Sequence, residues 1–306
     1  MNLPIKKRVG AAVLALVLTA GVAGTVFQTW AEASNIPSKT VMQSGVTVLS
    51  NAKADVDTSN LSEGFIQVKY TGGKNVRIKV QITKSGGTTY TYNLNNTGSY
   101  ETFPLTEGDG SYTVKVFENT SGTKYAQAYS TSVSLKLRNQ FLPFLYPNQY
   151  VNFTEKSTTV AKGKEIVQNA GATDDLAKVS AIFNWVTSNF SYDYDLAANP
   201  PTVYLPDVDR VLAARKGICF DYAAVMATML RSQDIPCKLV VGYAGKIYHA
   251  WIDVYVEGVG WIKNAIYFDG KSWTMMDPTF VSTGKGSASI MKYVTTPSNY
   301  SQKYAY

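Results

Sequence analysis

The stretch Gly217-Ile218-Cys219-Phe220-Asp221-Tyr222-Ala223 decides how the second half of this 306-residue chain folds. Apolar residues recur after it at three- and four-residue steps, which predicts a helix from about Cys219 to Ser232. Cys219 then lies in the first turn, where free backbone N–H groups and the positive end of the helix dipole stabilise a thiolate. The same N–H groups can bind the oxyanion formed in acyl transfer. A lone cysteine is also often a small buried hydrophobe, so this stretch alone leaves both interpretations open.

The one histidine of the chain, His249, lies in a second informative stretch, YHAWIDVYV at residues 248–256. Alternation along a strand places four apolar residues on one face: Ala250, Ile252, Val254 and Val256. His249 shares the other face with Trp251, Asp253 and Tyr255. Because the apolar face is complete without the imidazole, we expect His249 to point away from the core, among aromatic and polar groups.

A third stretch, WTMMDPTF at residues 273–280, contains Asp277 followed by Pro278. Proline cannot donate to a strand ladder, so it predicts that Asp277 lies at the tip of a strand. A carboxylate at that position can orient an imidazole on a neighbouring strand. An Asp-Pro pair is also a common way for a strand to end, so this motif is weak by itself.

In order and spacing, GICFDYA, LRSQDIPCKLVVGY, YHAWIDVYV and WTMMDPTF resemble the core of the transglutaminase-like superfamily, a branch of the papain-like cysteine enzymes. The resemblance covers about residues 150–280, and NWVTSNFSYDYD at 184–195 resembles the helix and loop before the nucleophile of that family. It implies an α+β fold, with helices packed on an antiparallel sheet. It also implies that Cys219 is the nucleophile, His249 the general base and Asp277 the orienting carboxylate. The sequence itself contains no cluster of carboxylates suited to calcium, so we expect no metal and no cofactor.

Departures from the family pattern leave this triad untouched. Cys237 stands where the family often has alanine, and Gln233-Asp234 replaces a usual glycine. The side chain that would help bind the oxyanion is not identified, because its two candidates, Trp185 and Tyr192, could equally pack in a core. Four aspartates are interpreted as turn and cap residues rather than as a calcium site: Asp193, Asp195, Asp207 and Asp209.

A disulfide between the two cysteines deserves consideration in an exported protein. The predicted helix between them has about 14 residues and is therefore roughly 20 Å long. A disulfide needs Cα atoms within about 7 Å of each other. We therefore predict two free thiols, with Cys237 buried.

Residues 45–138 have a different pattern, in which apolar and polar residues alternate. The clearest example is NVRIKVQIT at 75–83, and about seven such runs are separated by short glycine- and asparagine-rich turns. We predict an antiparallel β-sandwich of the immunoglobulin-like or fibronectin-III-like type. The proline-containing apolar segment FLPFLYPNQY at 141–150 follows, and we expect it to pack against a domain rather than to form a loose tether.

The first 33 residues have three parts that predict a cleaved signal peptide. A basic start is followed by an apolar run at 9–27 and by small residues at Ala31 and Ala33. The run is also long enough to cross a bilayer as a retained anchor, which is the only membrane association that we expect. The predicted domains are a signal peptide (1–33), a β-sandwich (45–138), a linker (139–153) and a catalytic domain (154–306). In either case we expect a secreted or cell-surface protein.

Composition excludes several classes of protein. With 45% hydrophobic residues the chain is not mainly disordered, and two cysteines with one histidine do not suffice for a disulfide scaffold or a structural zinc module. The net charge of +7 is spread thinly, without a basic run suited to nucleic acid. Nothing indicates a long dimerising helix, so we expect a monomer.

These patterns predict an exported cysteine enzyme that acts on amide bonds of a peptide or protein substrate, with cell-wall peptide as one candidate. Hydrolysis by a peptidase or amidase is favoured over amine cross-linking, because it needs no second substrate pocket. The alternative is a non-catalytic binding protein of the cell surface that keeps the fold as a scaffold.

Overall fold

The computed structural model describes residues 45–263 and 299–306, and the backbone of two short strands between these ranges. The predicted signal peptide lies outside the described residues. The first half contains β1 (Val48–Ser50), β2 (Ala54–Asp57), β3 (Phe65–Tyr70), β4 (Ile78–Lys84), β5 (Thr89–Leu94), β6 (Glu101–Pro104), β7 (Gly110–Ser121) and β8 (Lys124–Leu135).

Helices and strands mix in the second half. The helices are α1 (Thr158–Asn169), α2 (Asp175–Asn189), α3 (Tyr194–Ala198), α4 (Val208–Ala214) and α5 (Cys219–Arg231). The strands are β9 (Ser191–Tyr192), β10 (Lys216–Gly217), β11 (Cys237–Ala244), β12 (Ile247–Val256), β13 (Gly260–Ile262), β14 (Ile266–Phe268), β15 (Trp273–Met275) and β16 (Tyr300–Ala305).

The first eight strands form two antiparallel sheets, in the orders β1-β2-β3-β6 and β5-β4-β7-β8. In β4, Ile78, Val80 and Ile82 are buried, while Lys79 and Gln81 between them are half-buried. A period of two thus turns one side of the strand to the core, and both sheets contribute to one hydrophobic cluster. The predicted antiparallel sandwich is confirmed. Its immunoglobulin-like or fibronectin-III-like type and its limits stay predictions.

The segment at 141–150 is largely buried and includes a 3₁₀ turn at Leu142–Phe144. Leu142 and Tyr146 form a small cluster with Phe65 of the sandwich. On its other side, Phe141 packs against Tyr255 of β12, with ring centroids 4.3 Å apart. The expectation that this segment is packed is therefore confirmed, since it touches both halves of the molecule.

Helix α5 lies at the centre of the second half. Every residue from Asp221 to Arg231 is buried, whereas the sequence pattern predicted one apolar stripe. The reason is that α1, α2 and α4 contact α5, and so do β11 and β12. A helix covered by neighbours in this way cannot leave a polar face to solvent.

The main sheet of the second half has the strand order β13-β12-β11-β16, with antiparallel pairing throughout. The sequence patterns did not predict β16. Its ladder with β11 shifts between Val241 and Gly242. A Cβ atom at Gly242 would lie 2.1 Å from the carbonyl oxygen of Ser301, so only glycine lets β16 approach β11 at this point.

The two halves meet through tyrosine rings. The ring centroids of Tyr90 and Tyr92 on β5 lie 5.5 Å and 5.8 Å from that of Tyr306, which follows β16. The hydroxyl of Thr106 also donates to the carbonyl oxygen of Ala305 at 2.9 Å. The sandwich is therefore packed directly on the last strand of the neighbouring sheet. Among the described residues, no helix combines the length and the apolar character needed to cross a bilayer.

Candidate active site

Cys219 is the first residue of α5 and is half-buried. Ile218 before it has an extended backbone, with φ −94° and ψ 176°, so the chain turns into the helix at the cysteine. The N–H groups of the first turn have no acceptor within a helix. The predicted position of the cysteine, in the first turn of a helix, is confirmed.

His249 lies on β12, with Gly242 of β11 as its partner across the ladder. The four apolar residues between positions 250 and 256 join the main core, as predicted. Trp251, on the face of His249, belongs instead to a separate cluster with Val240 and Ala305. The imidazole thus points away from the main core, but its own face is also covered, and His249 is only 5% exposed.

Cys219 and His249 line the same cleft, which has a volume of about 600 Å³. Aromatic side chains dominate its walls: Tyr150, Tyr192, Tyr204, Phe220, Tyr248 and Tyr306. Small and aliphatic residues complete the described lining, which contains no Lys, Arg, Asp or Glu. The structure therefore brings the two predicted residues to one apolar, aromatic cleft.

The pKa of Tyr248 indicates that its hydroxyl lies near the thiol of Cys219. Burial raises the pKa of Tyr248, and the neighbouring Tyr304, Tyr243 and Cys219 raise it further. The start of β12 is thus electrostatically close to the start of α5. The phenol stays protonated near neutral pH and remains a possible hydrogen-bond donor at the edge of the cleft.

Residues 164–264 match the family model described as the transglutaminase-like superfamily. The matched range contains both Cys219 and His249 and ends before Asp277. Over residues 164–264 this chain is transglutaminase-like. The resemblance is therefore confirmed for the motifs within this range, whereas the fourth motif, at 273–280, lies beyond it.

Three curated proteins are similar to a part of this chain. Kyphoscoliosis peptidase from Homo sapiens is 29% identical over 155 residues, which are 45% of this chain and 22% of that protein. The Mus musculus protein of the same name is 30% identical over 99 residues, 28% of this chain and 15% of that protein. The uncharacterised protein YebA from Bacillus subtilis is 24% identical over 148 residues, 42% of this chain and 20% of that protein. This chain thus spans less than a quarter of the length of each.

Two solved structures are similar to this chain at low TM-scores. A provisionally assigned cysteine protease from Cytophaga hutchinsonii has a TM-score of 0.39 and 17% identity, over 85% of this chain and 74% of that one. The transglutaminase of red sea bream has a TM-score of 0.28 and 13% identity, over 76% of this chain and 53% of that one. At such values, neither likeness carries information about activity.

The third predicted member of the triad, Asp277, lies outside the described residues, so its role stays a prediction. Asp253, which shares the strand face of His249, is 3% exposed and faces Lys238 across the ladder. Four residues along a strand span about 13 Å. Asp253 is therefore too far along β12 to accept a hydrogen bond from the imidazole of His249.

The two candidates for an oxyanion side chain lie in different places within the transglutaminase-like domain. Trp185 packs against Phe190 at 6.1 Å, and the guanidinium of Arg215 lies 5.7 Å from its ring centroid. Tyr192, in contrast, lines the cleft beside Cys219. The geometry favours Tyr192 over Trp185 as a group that can reach a bound substrate.

The aspartates that were interpreted as cap and turn residues have local partners. The N-caps Asp193 and Asp207 accept hydrogen bonds from the backbone N–H groups of Leu196 and Arg210, both at 3.1 Å. Asp209 accepts one from the N–H of Thr159 at 2.9 Å, and Asp195 lies in the first turn of α3. The cap interpretation is confirmed for Asp193 and Asp207.

Both cysteines are free thiols, as predicted. Cys237 is fully buried on β11, and burial raises the pKa of its thiol to about 12. The guanidinium of Arg231, which donates to the carbonyl oxygen of Cys237 at 3.0 Å and 2.8 Å, lowers this pKa, but less than burial raises it. Cys237 is thus a poor nucleophile, and Cys219 is the thiol open to the cleft.

Sequence reasoning missed the residues that support the start of α5. Asp221 accepts hydrogen bonds from Ile218 and from Tyr204, which lines the cleft. It also missed the walls contributed by Tyr150 and Tyr306. A carboxylate in the first turn of a largely apolar helix was a signal for the first group. No comparable signal marked the second, because both residues reach the cleft only through tertiary packing.

Proposed function

We propose that this protein is an exported cysteine enzyme that transfers acyl groups from amide bonds of peptides or proteins. The observation that carries the proposal is that Cys219, in the first turn of a buried helix, and His249 line one cleft. The assignment of the domain to the transglutaminase-like superfamily supports it.

The proposed reaction begins when the thiolate of Cys219 attacks the carbonyl carbon of the amide. The C–N bond breaks, His249 gives a proton to the leaving amine, and a thioester remains on the sulfur. N–H groups at the start of α5 stabilise the oxyanion that forms on the way. Asp277 is proposed to hold the imidazole in the tautomer that this proton transfer needs.

The second half of the reaction releases the acyl group. We favour water over an amine as the attacking group, because hydrolysis requires no second substrate site. His249 then takes a proton from water and Cys219 leaves as the thiolate. The aromatic side chains of the described lining support a substrate that presents an uncharged group beside the scissile amide.

Export and a cell-surface location are proposed from the first 33 residues, and a peptide or protein substrate follows from the chemistry. Peptides of a cell wall are one candidate in that location. We propose that the enzyme works as a monomer, without metal or cofactor.

Alkylation by iodoacetamide, followed by mass spectrometry, tests whether the site holds an activated thiol. Cys219 should be labelled near neutral pH at least tenfold faster than the buried Cys237, and His249→Ala should slow this labelling. A non-catalytic scaffold would label both cysteines slowly, with no effect of the histidine. That outcome would favour the alternative hypothesis, a non-catalytic surface-binding protein, over an enzyme.

Turnover is tested with a generic acyl donor, p-nitrophenyl acetate, and its fate with monodansylcadaverine as a primary amine. Wild-type protein should release p-nitrophenolate catalytically, and Cys219→Ala should not. Cell-wall peptides are then offered together with the amine. Free acids identify a hydrolase, whereas amine incorporation identifies a cross-linking enzyme.

A further inference from the structure

A buried carboxylate lies two positions after the proposed nucleophile. Asp221 is 0% exposed, and one of its oxygens accepts a hydrogen bond from the backbone N–H of Ile218 at 2.9 Å. The hydroxyl of Tyr204 lies 2.7 Å and 2.9 Å from its two oxygens. Burying a carboxylate is costly unless such donors satisfy it. The buried residues that follow it in the helix, from Tyr222 to Ala227, are mostly apolar, so packing alone would favour an apolar residue here.

The residue at position 217 also leaves space for the side chain of Asp221. A Cβ atom at position 217 would lie 2.6 Å from the Cβ of Asp221, which explains why Gly217 is a glycine. Burial also raises the pKa of Asp221, against the hydrogen bonds from Ile218 and Tyr204. The carboxylate is thus retained at a position where it stabilises the fold less than an exposed cap would.

The place of Asp221 in the helix indicates what it does. It is the third residue of α5, and its side chain binds the N–H of the N-cap residue, Ile218. Isoleucine has no side-chain acceptor of its own, so Asp221 supplies the polar contact in the first turn. The contact fixes the peptide that leads into Cys219. It therefore sets the direction of the free N–H groups of Cys219 and Phe220.

Two further residues hold the carboxylate from outside the helix. Tyr204, in the loop before α4, lines the cleft, and its hydroxyl accepts a hydrogen bond from Arg210 of α4 at 3.2 Å. Burial and the contact with Asp221 raise the pKa of Tyr204 to about 12, so its proton stays in place at neutral pH. Because Arg210 already donates to this oxygen, the hydroxyl proton must point at an acceptor, and Asp221 is that acceptor.

We propose that Asp221, held by Tyr204 and Arg210, is a positioning residue that aims the first turn of α5 at the substrate carbonyl. The role rests on the proposed acyl-transfer function, since it acts through the N–H groups that bind the oxyanion. Tyr204 ties the same unit to the cleft wall. Neither side chain exchanges a proton with the substrate.

Asp221→Asn tests this role. An asparagine can still accept from Ile218, but its NH₂ group faces the hydroxyl proton of Tyr204, so two donors meet. We expect kcat for p-nitrophenyl acetate to fall about 10- to 100-fold, as for a misplacement of about 1 Å at a reacting centre. Alkylation of Cys219 by iodoacetamide needs no oxyanion hole, so its rate should stay within about threefold of wild type.

Tyr204→Phe is the second variant, because it removes one hydrogen bond and leaves the helix sequence intact. It should lower kcat in the same direction, by less, with alkylation again unchanged. Asp174→Asn is the matched control: Asp174 is the exposed N-cap of α2 and accepts from the N–H of Ala177 at 2.8 Å. Asparagine caps a helix as well as aspartate does, so this variant should behave as wild type.

Alkylation, turnover and circular dichroism together distinguish a failure of the proposed function from a failure of the positioning role. If wild-type Cys219 is neither alkylated quickly nor acylated, the proposed function fails, and the positioning role falls with it. If wild type turns over and both variants keep its kcat, only the positioning role is overturned. A parallel fall of kcat and alkylation, in proportion to the folded fraction seen by circular dichroism, would also overturn it, because Asp221 would then be merely structural.

Discussion

Two of the buried carboxylates among the described residues accept a hydrogen bond from a tyrosine but differ in the direction of their pKa shift. In the sandwich, Glu118 is 4% exposed and accepts a hydrogen bond from the hydroxyl of Tyr70 at 2.6 Å. In the transglutaminase-like domain, Asp221 accepts one from Tyr204 at 2.7 Å. Glu118 also has two ammonium partners, Lys53 at 3.0 Å and Lys74 at 2.9 Å.

The difference appears in the direction of the two pKa shifts. Burial alone would raise the pKa of Glu118, but the hydrogen bonds from Tyr70, Lys74 and Lys53 outweigh it and lower the pKa to about 2. For Asp221, burial prevails and the pKa is raised. The sandwich thus uses a buried charge to hold strands together. Asp221, at the start of α5 beside the cleft, is kept although burial outweighs its hydrogen bonds, which points to a role other than stability.

The largest expected effect comes from Cys219→Ala, which tests whether function and stability depend on different residues. It should abolish turnover of p-nitrophenyl acetate and leave Tm within about 2 °C of wild type, because the thiol is half-buried and small. Cys237→Ala, the matched control, should keep turnover, and its loss of a fully buried sulfur should lower Tm by a few degrees. Residual catalysis in Cys219→Ala would remove the cysteine from the mechanism.

Asp277→Asn should have the next largest effect. If Asp277 orients His249, the amide favours the wrong tautomer and the imidazolium loses its counter-charge. We expect kcat to fall on the order of 10- to 10³-fold, less than in serine proteases because a thiol needs less help to lose its proton than a hydroxyl does. Steady-state kinetics and circular dichroism measure the loss and the retained fold.

Asp253→Asn is the control for that variant. Asp253 lies on the strand face of His249 but next to Lys238, so its change should affect Tm and leave kcat within about threefold. Full activity of Asp277→Asn, together with a large loss in Asp253→Asn, would exclude Asp277 as the orienting carboxylate and would show that Asp253 affects catalysis in another way.

In the sandwich, Glu118→Gln should change stability and not turnover. Loss of a charge-assisted network costs about 1–3 kcal/mol, and kcat of the folded protein should stay at the wild-type value. Urea unfolding and the turnover assay give the two numbers. A fall of kcat at constant folded fraction would break the comparison, since the sandwich would then take part in the chemistry.

The smallest effect is the pH dependence of stability, and its sign differs between the two sites. Because the pKa of Glu118 is lowered, its contribution is present above its ordinary pKa of 4.5 and is lost as the pH falls towards about 2. Because the pKa of Asp221 is raised above 3.8, its contribution is present below 3.8 and is lost as the pH rises through the raised value.

Tm measured from pH 7 to pH 3 checks this sign. Relative to wild type, Glu118→Gln should lose less Tm on acidification, and Asp221→Asn should lose more. Identical pH profiles for the two variants would show that the two carboxylates do not differ as described.

The same contrast explains what the sequence could predict. Strands of the sandwich such as β4 have one buried face, so their apolar residues alternate and the pattern is easy to recognise. In the second half, α5 is covered on all sides and β12 on both faces. The periodicity of apolar residues is weaker there, so the prediction of this half depended on short motifs. Cys219 and His249 were found because few residue types can do their chemistry.

The parts that sequence reasoning missed depend on contacts between distant segments. Tyr306 reaches the cleft only because β16 returns to pair with β11, at a glycine that permits the approach. Asp221 was visible in its motif, but its partner Tyr204 lies 17 positions away in an irregular loop. Local periodicity carries no information about such pairs.

The docking of the sandwich on β16 also affects the order of events while the protein is being made. The bond between Thr106 and Ala305 joins positions 199 apart, and contacts of such separation form slowly. A ribosome adds Cys219 and His249 before it adds Tyr306, so a nascent chain has its reactive groups before it has the wall that encloses them. Enclosure depends on two segments that lie 199 positions apart in the sequence. The nucleophile therefore gains a shaped substrate site only after β16 and Tyr306 have been synthesised.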